Sequence, residues 1–331
     1  MINIGINGFG RIGKCVFLQL LMNDNVVVKA INIPDFDINF FEHYLKTDSN
    51  HSYNKKWSVK IVNEKQVRVD GNLITILNSR YPNSLKWNDY DIEYIIDTTG
   101  VFLTKKQAKE HNVPYFIMCA PPKDDTPQFM VNANEHKYKG ESIVSNASCT
   151  SNCIIPVLKF LNDNYTIIDG NFNTIHSATA SQKTTDTTKM KKRTCRSIFN
   201  NIIPHTTGAS KSIDKILPEL KGKLIGASVR VPVSNVSLVN LNVRLETNTT
   251  LKDILQKMKT ESYINLEPRP FMVSSDFMTN TCPSIIDVNG SMDLNNNQFK
   301  FLIWYDNEWS YVYKVIKLLE HMISFNKPTK L

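Results

Sequence analysis

The chain has 331 residues, 41% hydrophobic and 21% charged, with a formal net charge of +8. That length accommodates two domains, and the composition is that of a globular protein rather than a disordered or fibrous one. No apolar run approaches the ~20 residues that span a bilayer, and the N-terminus lacks the basic start and small-residue cleavage site of a secretory signal, so no membrane contact and a cytoplasmic location are expected. The charge excess is scattered apart from Lys189-Met190-Lys191-Lys192-Arg193-Thr194-Cys195-Arg196. That run reads first as a solvated loop and second as a nucleic-acid patch. Cys15, Cys119, Cys149, Cys153, Cys195 and Cys282 are expected to be reduced. Cys149 and Cys153 lie one helical turn apart, but no second Cys/His pair has zinc-ligand spacing, so no metal is expected.

The first elements spell a βαβ unit. Ile2 to Ile6 is a short apolar strand, Gly8-Phe9-Gly10-Arg11-Ile12-Gly13 is a G-x-G-x-x-G run, and Lys14 to Met22 has Val16, Phe17, Leu20 and Leu21 at helical spacing. Val26 to Ile31 is the second strand. Glycines at a strand-to-helix turn let the backbone approach a pyrophosphate, which the helix N-terminus can hold. The same fingerprint expects an acidic residue about 20 positions on, at the ribose hydroxyls. Here the chain reads Asn32-Ile33-Pro34-Asp35-Phe36-Asp37. Ile33 takes the acidic place and accepts no hydrogen bond, Asp35 and Asp37 read as turn residues, and no Arg stands in the loop for a 2′-phosphate. Strand-like segments follow at Trp57 to Val62, Gln66 to Val69, Leu73 to Leu77, Glu93 to Ile96, Phe116 to Met118 and Ser142 to Val144, with Gly71 as a hairpin turn. Thr98-Thr99-Gly100 and Cys119-Ala120-Pro121-Pro122 end two of these strands, where doubly wound sheets bind ligands.

Ser145-Asn146-Ala147-Ser148-Cys149-Thr150-Ser151-Asn152-Cys153 joins a strand-like run to a helix-like run, Ile154 to Leu161. Cys149 therefore falls at a helix start, where unpaired N–H groups and the helix dipole favour a thiolate, while Ser148 and Thr150 can bind oxyanions. His176 ends the strand-like run Asn173 to His176 and precedes Ser177-Ala178-Thr179-Ala180-Ser181-Gln182-Lys183-Thr184, a segment dense in donors. The other histidines (His43, His51, His111, His136, His205, His321) have bland surroundings. Thr206-Thr207-Gly208-Ala209 offers a donor turn before a helix, and Arg230-Val231-Pro232 puts an Arg in a strand; together these segments can line a site for phosphate groups. Ser237 to Leu245 alternates as a sheet strand with one buried face, and Leu251 to Met258 is an amphipathic helix. Phe299 to Trp304 is a strand leading into Tyr305-Asp306-Asn307-Glu308-Trp309, and the closing helix, Trp309 to Phe325, is expected to pack on the first domain.

From end to end the chain resembles phosphorylating glyceraldehyde-3-phosphate dehydrogenases. The segments that carry the resemblance are Asn7 to Gly13, Ser145 to Cys153, Asn201-Ile202-Ile203-Pro204, Thr207-Gly208-Ala209, Arg230-Val231-Pro232, Val273-Ser274-Ser275-Asp276-Phe277 and Trp304 to Glu308. The resemblance implies an α/β fold: an N-terminal Rossmann-type dinucleotide-binding domain over 1–148, completed by the C-terminal helix 313–331, and an α+β catalytic domain over 149–312 built on a mostly antiparallel sheet. It implies a homotetramer that oxidises and phosphorylates glyceraldehyde 3-phosphate with NAD. Cys149 would attack the aldehyde and His176 would raise its nucleophilicity and accept the proton. Thr179 and Arg230 would bind the substrate's phosphate, and Ser148, Thr150, Thr207 and Gly208 inorganic phosphate. Gly8, Gly10, Arg11, Ile12, Gly13, Ile33, Arg80, Thr99, Cys119 and Asn307 would line the cofactor, with Arg11 and Ile12 at the pyrophosphate and Asn307 on the nicotinamide carboxamide.

Four departures stand out. The family usually has Asp where Ile33 stands, and NAD-restricted relatives usually carry Pro at the place of Thr188, near the adenosine ribose of a neighbouring subunit. Thr187-Thr188 looks like the small polar pair of NADP-tolerant relatives, so weak NAD binding with NADP not excluded is expected. Cys119 replaces a frequent Ser, and Ser310 the usual Gly. Two rival readings remain: an erythrose-4-phosphate dehydrogenase with the same thiol chemistry, and a catalytically weak paralogue that binds RNA through 189–196.

Overall fold

The computed structural model describes residues 1–51, 57–188, 192–294 and 297–327. The chain clusters into two compact units. The first comprises Met1–Val131 and Glu135–Ala147 with the C-terminal helix from Val312; the second comprises Asn132–Asn134 and Ser148–Tyr311.

In the first unit the strands are β1 (Ile2–Asn7), β2 (Val26–Asn32), β3 (Val59–Asn63), β4 (Gln66–Val69), β5 (Asn72–Leu77), β6 (Tyr94–Asp97), β7 (Tyr115–Met118) and β8 (Ile143–Ser145). Among the described residues they form one sheet in the order β3-β4-β5-β2-β1-β6-β7-β8. From β5 to β8 every pairing is parallel, while β3-β4-β5 is an antiparallel extension. Parallel strands covered on both faces are apolar along their length, and Ile4, Ile6, Ile31, Ile95, Ile96 and Ile117 are buried accordingly. The strand order reverses between β1 and β6, which makes their carboxyl ends the switch point where ligands lie in such sheets. Helix α1 (Arg11–Leu20) starts three residues earlier than its apolar spacing suggested, directly at the glycine turn. The closing part of the chain's last helix joins this unit: Lys314 Nζ donates to the Val131 carbonyl at 2.6 Å, and Asn326 Nδ2 to the hydroxyls of Tyr94 (3.1 Å) and Tyr138 (3.0 Å).

After short helices α2 (Phe41–Lys46) and α3 (Lys105–Lys109), the second unit opens with α4 (Cys149–Tyr165). Its strands are β9 (Ile167–His176), β10 (Ile203–His205), β11 (Leu224–Arg230), β12 (Ser237–Leu245), β13 (Asn265–Glu267), β14 (Ile285–Leu294) and β15 (Gln298–Tyr305). They run β10-β11-β9-β12-β15-β14-β13, mostly antiparallel, with parallel pairs at β11-β9 and β13-β14. Strand β12 alternates as its sequence requires: Ser237, Val239, Leu241, Val243 and Leu245 are buried against α4, Leu238, Asn240 and Asn242 are half-buried, and Arg244 is exposed. Helices α5 (Ala209–Ile216), α6 (Leu251–Met258) and α7 (Trp309–Asn326) complete the order.

Candidate active site

Ser148 begins the site. Its extended backbone and its hydroxyl, which accepts from the Ser151 N–H at 3.1 Å, cap α4 and put Cys149 at the first helical position. The residue before the cap, Ala147, is held at φ +53, a left-handed conformation uncommon for a residue with a side chain. On the neighbouring sheet, parallel pairing of β11 with β9 sets Arg230 directly beside His176.

Three side chains converge there. Cys149 Sγ lies 3.4 Å from His176 Nε2. One guanidinium nitrogen of Arg230 is 2.6 Å from His176 Nδ1 and donates to the Ser177 carbonyl at 3.0 Å. That carbonyl is also 2.9 Å from Nδ1. Burial, then the Arg230 charge, push the His176 pKa down to about 3, so the imidazole is neutral. A helix start alone predicts an acidified thiol. Instead burial pushes the Cys149 thiol up, and the Arg230 charge with hydrogen bonds from Thr150 pull against it. Arg230 itself is pushed down by burial, and its buried Nε has no partner, a donor in want of an oxyanion.

Tyr305, Ser237 and Asp306, which had no role assigned from sequence, support this centre. Tyr305 OH bonds Thr150 Oγ1 at 2.9 Å, and its ring stands edge-on to His176. Ser177 and Ser237 hydroxyls both donate to Asn307 Oδ1 at 2.8 Å, which fixes the amide and leaves its Nδ2 to donate elsewhere. Buried Asp306 pins the turn: it accepts from the N–H groups of Glu308 (2.9 Å), Trp309 (2.8 Å) and Thr279 (2.7 Å) and from Asn235 Nδ2 (3.0 Å). A hydroxyl at the buried end of an otherwise apolar strand face was the one visible sign of Ser237.

The remaining expected anion ligands lie in separate turns. Thr179 is exposed and its hydroxyl donates to Gln182 Oε1 at 3.0 Å. Thr207 Oγ1 accepts from the Ala209 N–H at 3.2 Å, with Gly208 as the N-terminal cap of α5. Of the basic run, 189–191 lie outside the described residues, Arg193–Cys195 form a short helical turn, and Arg196 pairs with Asp186 at 2.7 Å.

In the first unit the Gly-rich turn has the shape a dinucleotide needs. Gly8 is at φ +90, and a Cβ on Gly13 would come within 2.2 Å of the Gly8 carbonyl oxygen. At Gly10 a Cβ would meet nothing within 4 Å, and α1 begins there with no side-chain cap and no acid in its first turn. Open space at a positive helix end that no side chain caps fits a pyrophosphate. The Arg11 side chain is taken by Asp48 at 2.6 Å, so its backbone is what remains for the phosphates. Thr99 Oγ1 donates to Asp97 at 2.9 Å, and the Cys119 N–H to the Asp97 carbonyl at 2.9 Å. Ile33 is 9% exposed and its N–H is taken by the Leu77 carbonyl. Asp35, at φ +57, pairs with Arg80 on the surface, and Asp37 caps a turn at the Asn39 N–H, so both acids serve turns as their spacing suggested.

Comparison with known proteins gives two family matches along the chain. The family model "Glyceraldehyde 3-phosphate dehydrogenase, NAD binding domain" matches residues 2–105 and "Glyceraldehyde 3-phosphate dehydrogenase, C-terminal domain" matches 148–307. The chain is 40% identical to a glyceraldehyde-3-phosphate dehydrogenase of Atriplex nummularia, over 97% of this chain and 92% of that one. It is 40% identical to a cytosolic one of Ginkgo biloba over 98% of both chains. One from Shimwellia blattae is 41% identical over 97% of this chain and 99% of its own.

Proposed function

Because the chain belongs to the glyceraldehyde-3-phosphate dehydrogenase family, we propose that it oxidises glyceraldehyde 3-phosphate and captures the product as an acyl phosphate, with Cys149 as nucleophile and His176 as the group that moves the proton. The observation that carries this reading is the 3.4 Å approach of Cys149 Sγ to His176 Nε2 beside the half-buried Arg230. An aldehyde is a poor hydride donor, but its thiol adduct is a good one. Cys149 adds to the aldehyde carbon, and the carbonyl oxygen becomes the hydroxyl of a hemithioacetal. The dinucleotide, when bound, supplies the acceptor for the hydride. As hydride leaves the substrate carbon, His176 Nε2 takes the hydroxyl proton, which leaves a thioester on Cys149. Inorganic phosphate attacks the thioester carbonyl, and Cys149 departs as the thiolate. Splitting the reaction into two easier steps is what a covalent thiol provides.

Arg230, with its unpartnered Nε, and Thr179 would hold the substrate's phosphate. Ser148, Thr150, Thr207 and Gly208 would hold inorganic phosphate. The backbone N–H groups of Arg11, Ile12 and Gly13 would hold the pyrophosphate, with Gly8, Gly10, Ile33, Arg80, Thr99 and Cys119 around the nucleotide and Asn307 Nδ2 on the carboxamide. NAD is the expected cofactor and NADP a tolerated one, because Ile33 presents no anion to repel a 2′-phosphate. We place the activity in the cytosol as a homotetramer, in keeping with the family resemblance; among the described residues no helix is long and apolar enough to cross a membrane. The test is production of NADH and NADPH from glyceraldehyde 3-phosphate with and without inorganic phosphate, and with erythrose 4-phosphate as the competing substrate. Phosphate-dependent NADH formation is expected; turnover indifferent to phosphate would overturn the reading.

A further inference from the structure

Ser177 follows the last residue of β9, is fully buried, and has every polar atom engaged. Its carbonyl oxygen lies 2.9 Å from His176 Nδ1 and accepts from the Arg230 guanidinium at 3.0 Å. Its N–H donates to Ser237 Oγ at 3.1 Å, and its hydroxyl donates to Asn307 Oδ1 at 2.8 Å. Register explains the meeting. Leu238 pairs with Ile175 and Ser237 with Tyr305, so the end of β9, the start of β12 and the end of β15 lie side by side. The backbone of Ser177 thus faces the imidazole, and its side chain faces the amide.

An asparagine amide has two orientations that fill nearly the same space, and hydrogen bonding distinguishes them. With the Asn307 amide turned over, Nδ2 would face Ser177 Oγ, and a buried hydroxyl hydrogen would lose its acceptor. The other hydroxyl of the cluster, Ser237 Oγ, is 3.5 Å away, beyond an ordinary O–H···O bond. Ser237 adds a second donor to Oδ1 at 2.8 Å, so both lone pairs of that oxygen are filled and the hydrogens of Nδ2 are kept for an acceptor outside the cluster. A carboxamide oxygen is such an acceptor, so the residues present fit a nicotinamide.

We propose that Ser177 is a positioning residue for the nicotinamide: its hydroxyl decides which end of the Asn307 amide meets the cofactor, and its carbonyl ties that choice to the imidazole that takes the proton. The inference rests on the proposed dehydrogenase reading and adds to it a residue that touches neither substrate nor cofactor. Oxidation sends a hydride and a proton from neighbouring substrate atoms to two different acceptors, and both must be aligned at once. Residues 176 and 177 are consecutive, so the support of one acceptor cannot drift from the support of the other. Ser177→Ala keeps the carbonyl and the N–H and removes the link to Asn307. Ser237 alone can donate to Oδ1 or accept from Nδ2, so the amide then samples both orientations.

The probe is NAD alone, titrated by fluorescence without substrate. Ser177→Ala should bind it about five-fold more weakly than the parent. In an Asn307→Ala background the same substitution should change the Kd by less than about two-fold, because a residue that acts through another has nothing left to act on. In steady-state kinetics the Ser177→Ala KM for NAD should rise while the KM for glyceraldehyde 3-phosphate stays within about two-fold. A loss of NAD affinity of equal size in both backgrounds would show a merely structural role and overturn the proposal. So would a Ser177→Ala protein, or an Asn307→Ala protein, that binds NAD like the parent. If the parent forms NADH from glyceraldehyde 3-phosphate and phosphate in those cases, the dehydrogenase reading stands and only the positioning role falls.

Discussion

Alanine at Gly10 and at Gly13 should separate cofactor binding from stability. A Cβ on Gly13 would stand 2.2 Å from the Gly8 carbonyl oxygen and 2.9 Å from Thr98 Oγ1. Cβ contacts below 3.0 Å essentially never occur, so turn and helix must part by at least 0.8 Å (3.0 less 2.2). Gly8 yields poorly, because its own Cβ position is crowded by Thr99 and its carbonyl is held by Thr98 Oγ1 at 3.0 Å. Overpacking of this kind costs about 1–3 kcal/mol, and each kcal/mol lowers Tm by about 2–4 °C in a unit of this size. Gly13→Ala should therefore melt at least about 2 °C below the parent. At Gly10 a Cβ meets nothing within 4 Å, and φ −75 with ψ −159 suits any residue. Its weaker cap and its lower unfolded-state entropy offset one another to within about 0.5 kcal/mol. The same methyl enters the open space at the start of α1, where a pyrophosphate would lie. Loss of one charge-assisted hydrogen bond there is worth ~1.5–3 kcal/mol, roughly ten- to a hundred-fold in Kd. Thermal melts without cofactor and fluorescence titration with NAD read the two effects apart. A Gly10→Ala protein that binds NAD like the parent would remove the pyrophosphate from this turn, and a Gly13→Ala protein with the parent's Tm would refute the steric reasoning.

Three further outcomes are expected. His176→Asn should lower kcat by ~10²–10⁴-fold with little change in KM, and a loss under about tenfold in steady-state kinetics would take the proton away from this imidazole. Asp97 is buried beside Asn7 and Thr99, and burial pushes its carboxyl up to about 7 from an ordinary 3.8. Between those values the folded state holds a proton that the unfolded state has released, so the group's contribution to stability declines as pH rises through that window. Asp97→Asn removes the effect, and its stability should gain on the parent's between pH 5 and pH 8 by at most about 3 kcal/mol in denaturant unfolding; a constant difference across that range contradicts it. Without an acid at Ile33, NAD should bind weakly and be poorly distinguished from NADP, while Ile33→Asp should lower the NADP to NAD ratio of kcat/KM by about ten-fold or more; tight, NAD-exclusive binding by the parent contradicts that.

Local signals carried much of this architecture. The glycine turn follows from strand, G-x-G-x-x-G and helix in succession, and β12 from the alternation of Ser237 to Leu245. Cys149 at a helix start follows from a Ser cap before an apolar run. What stayed hidden is register. Arg230 and His176 are fifty-four positions apart, and only the parallel pairing of β11 with β9 sets them side by side. That pairing decides which charge faces the imidazole, so the surroundings of His176 are illegible in one dimension. The thiol shows the same limit: a helix start pulls its pKa down, whereas the surrounding apolar packing, set by distant strands, pushes it up. Likewise Ser177, Ser237 and Asn307 form one cluster through residues from β12 and the loops after β9 and β15.

Trapping the covalent intermediate tests the central claim most directly. The protein is mixed with glyceraldehyde 3-phosphate and NAD without inorganic phosphate, then quenched in acid and mapped by mass spectrometry. A single burst of NADH with an acyl group on Cys149, discharged when phosphate is added, is the predicted result. A burst without acylation, or acylation at another cysteine, would contradict the account.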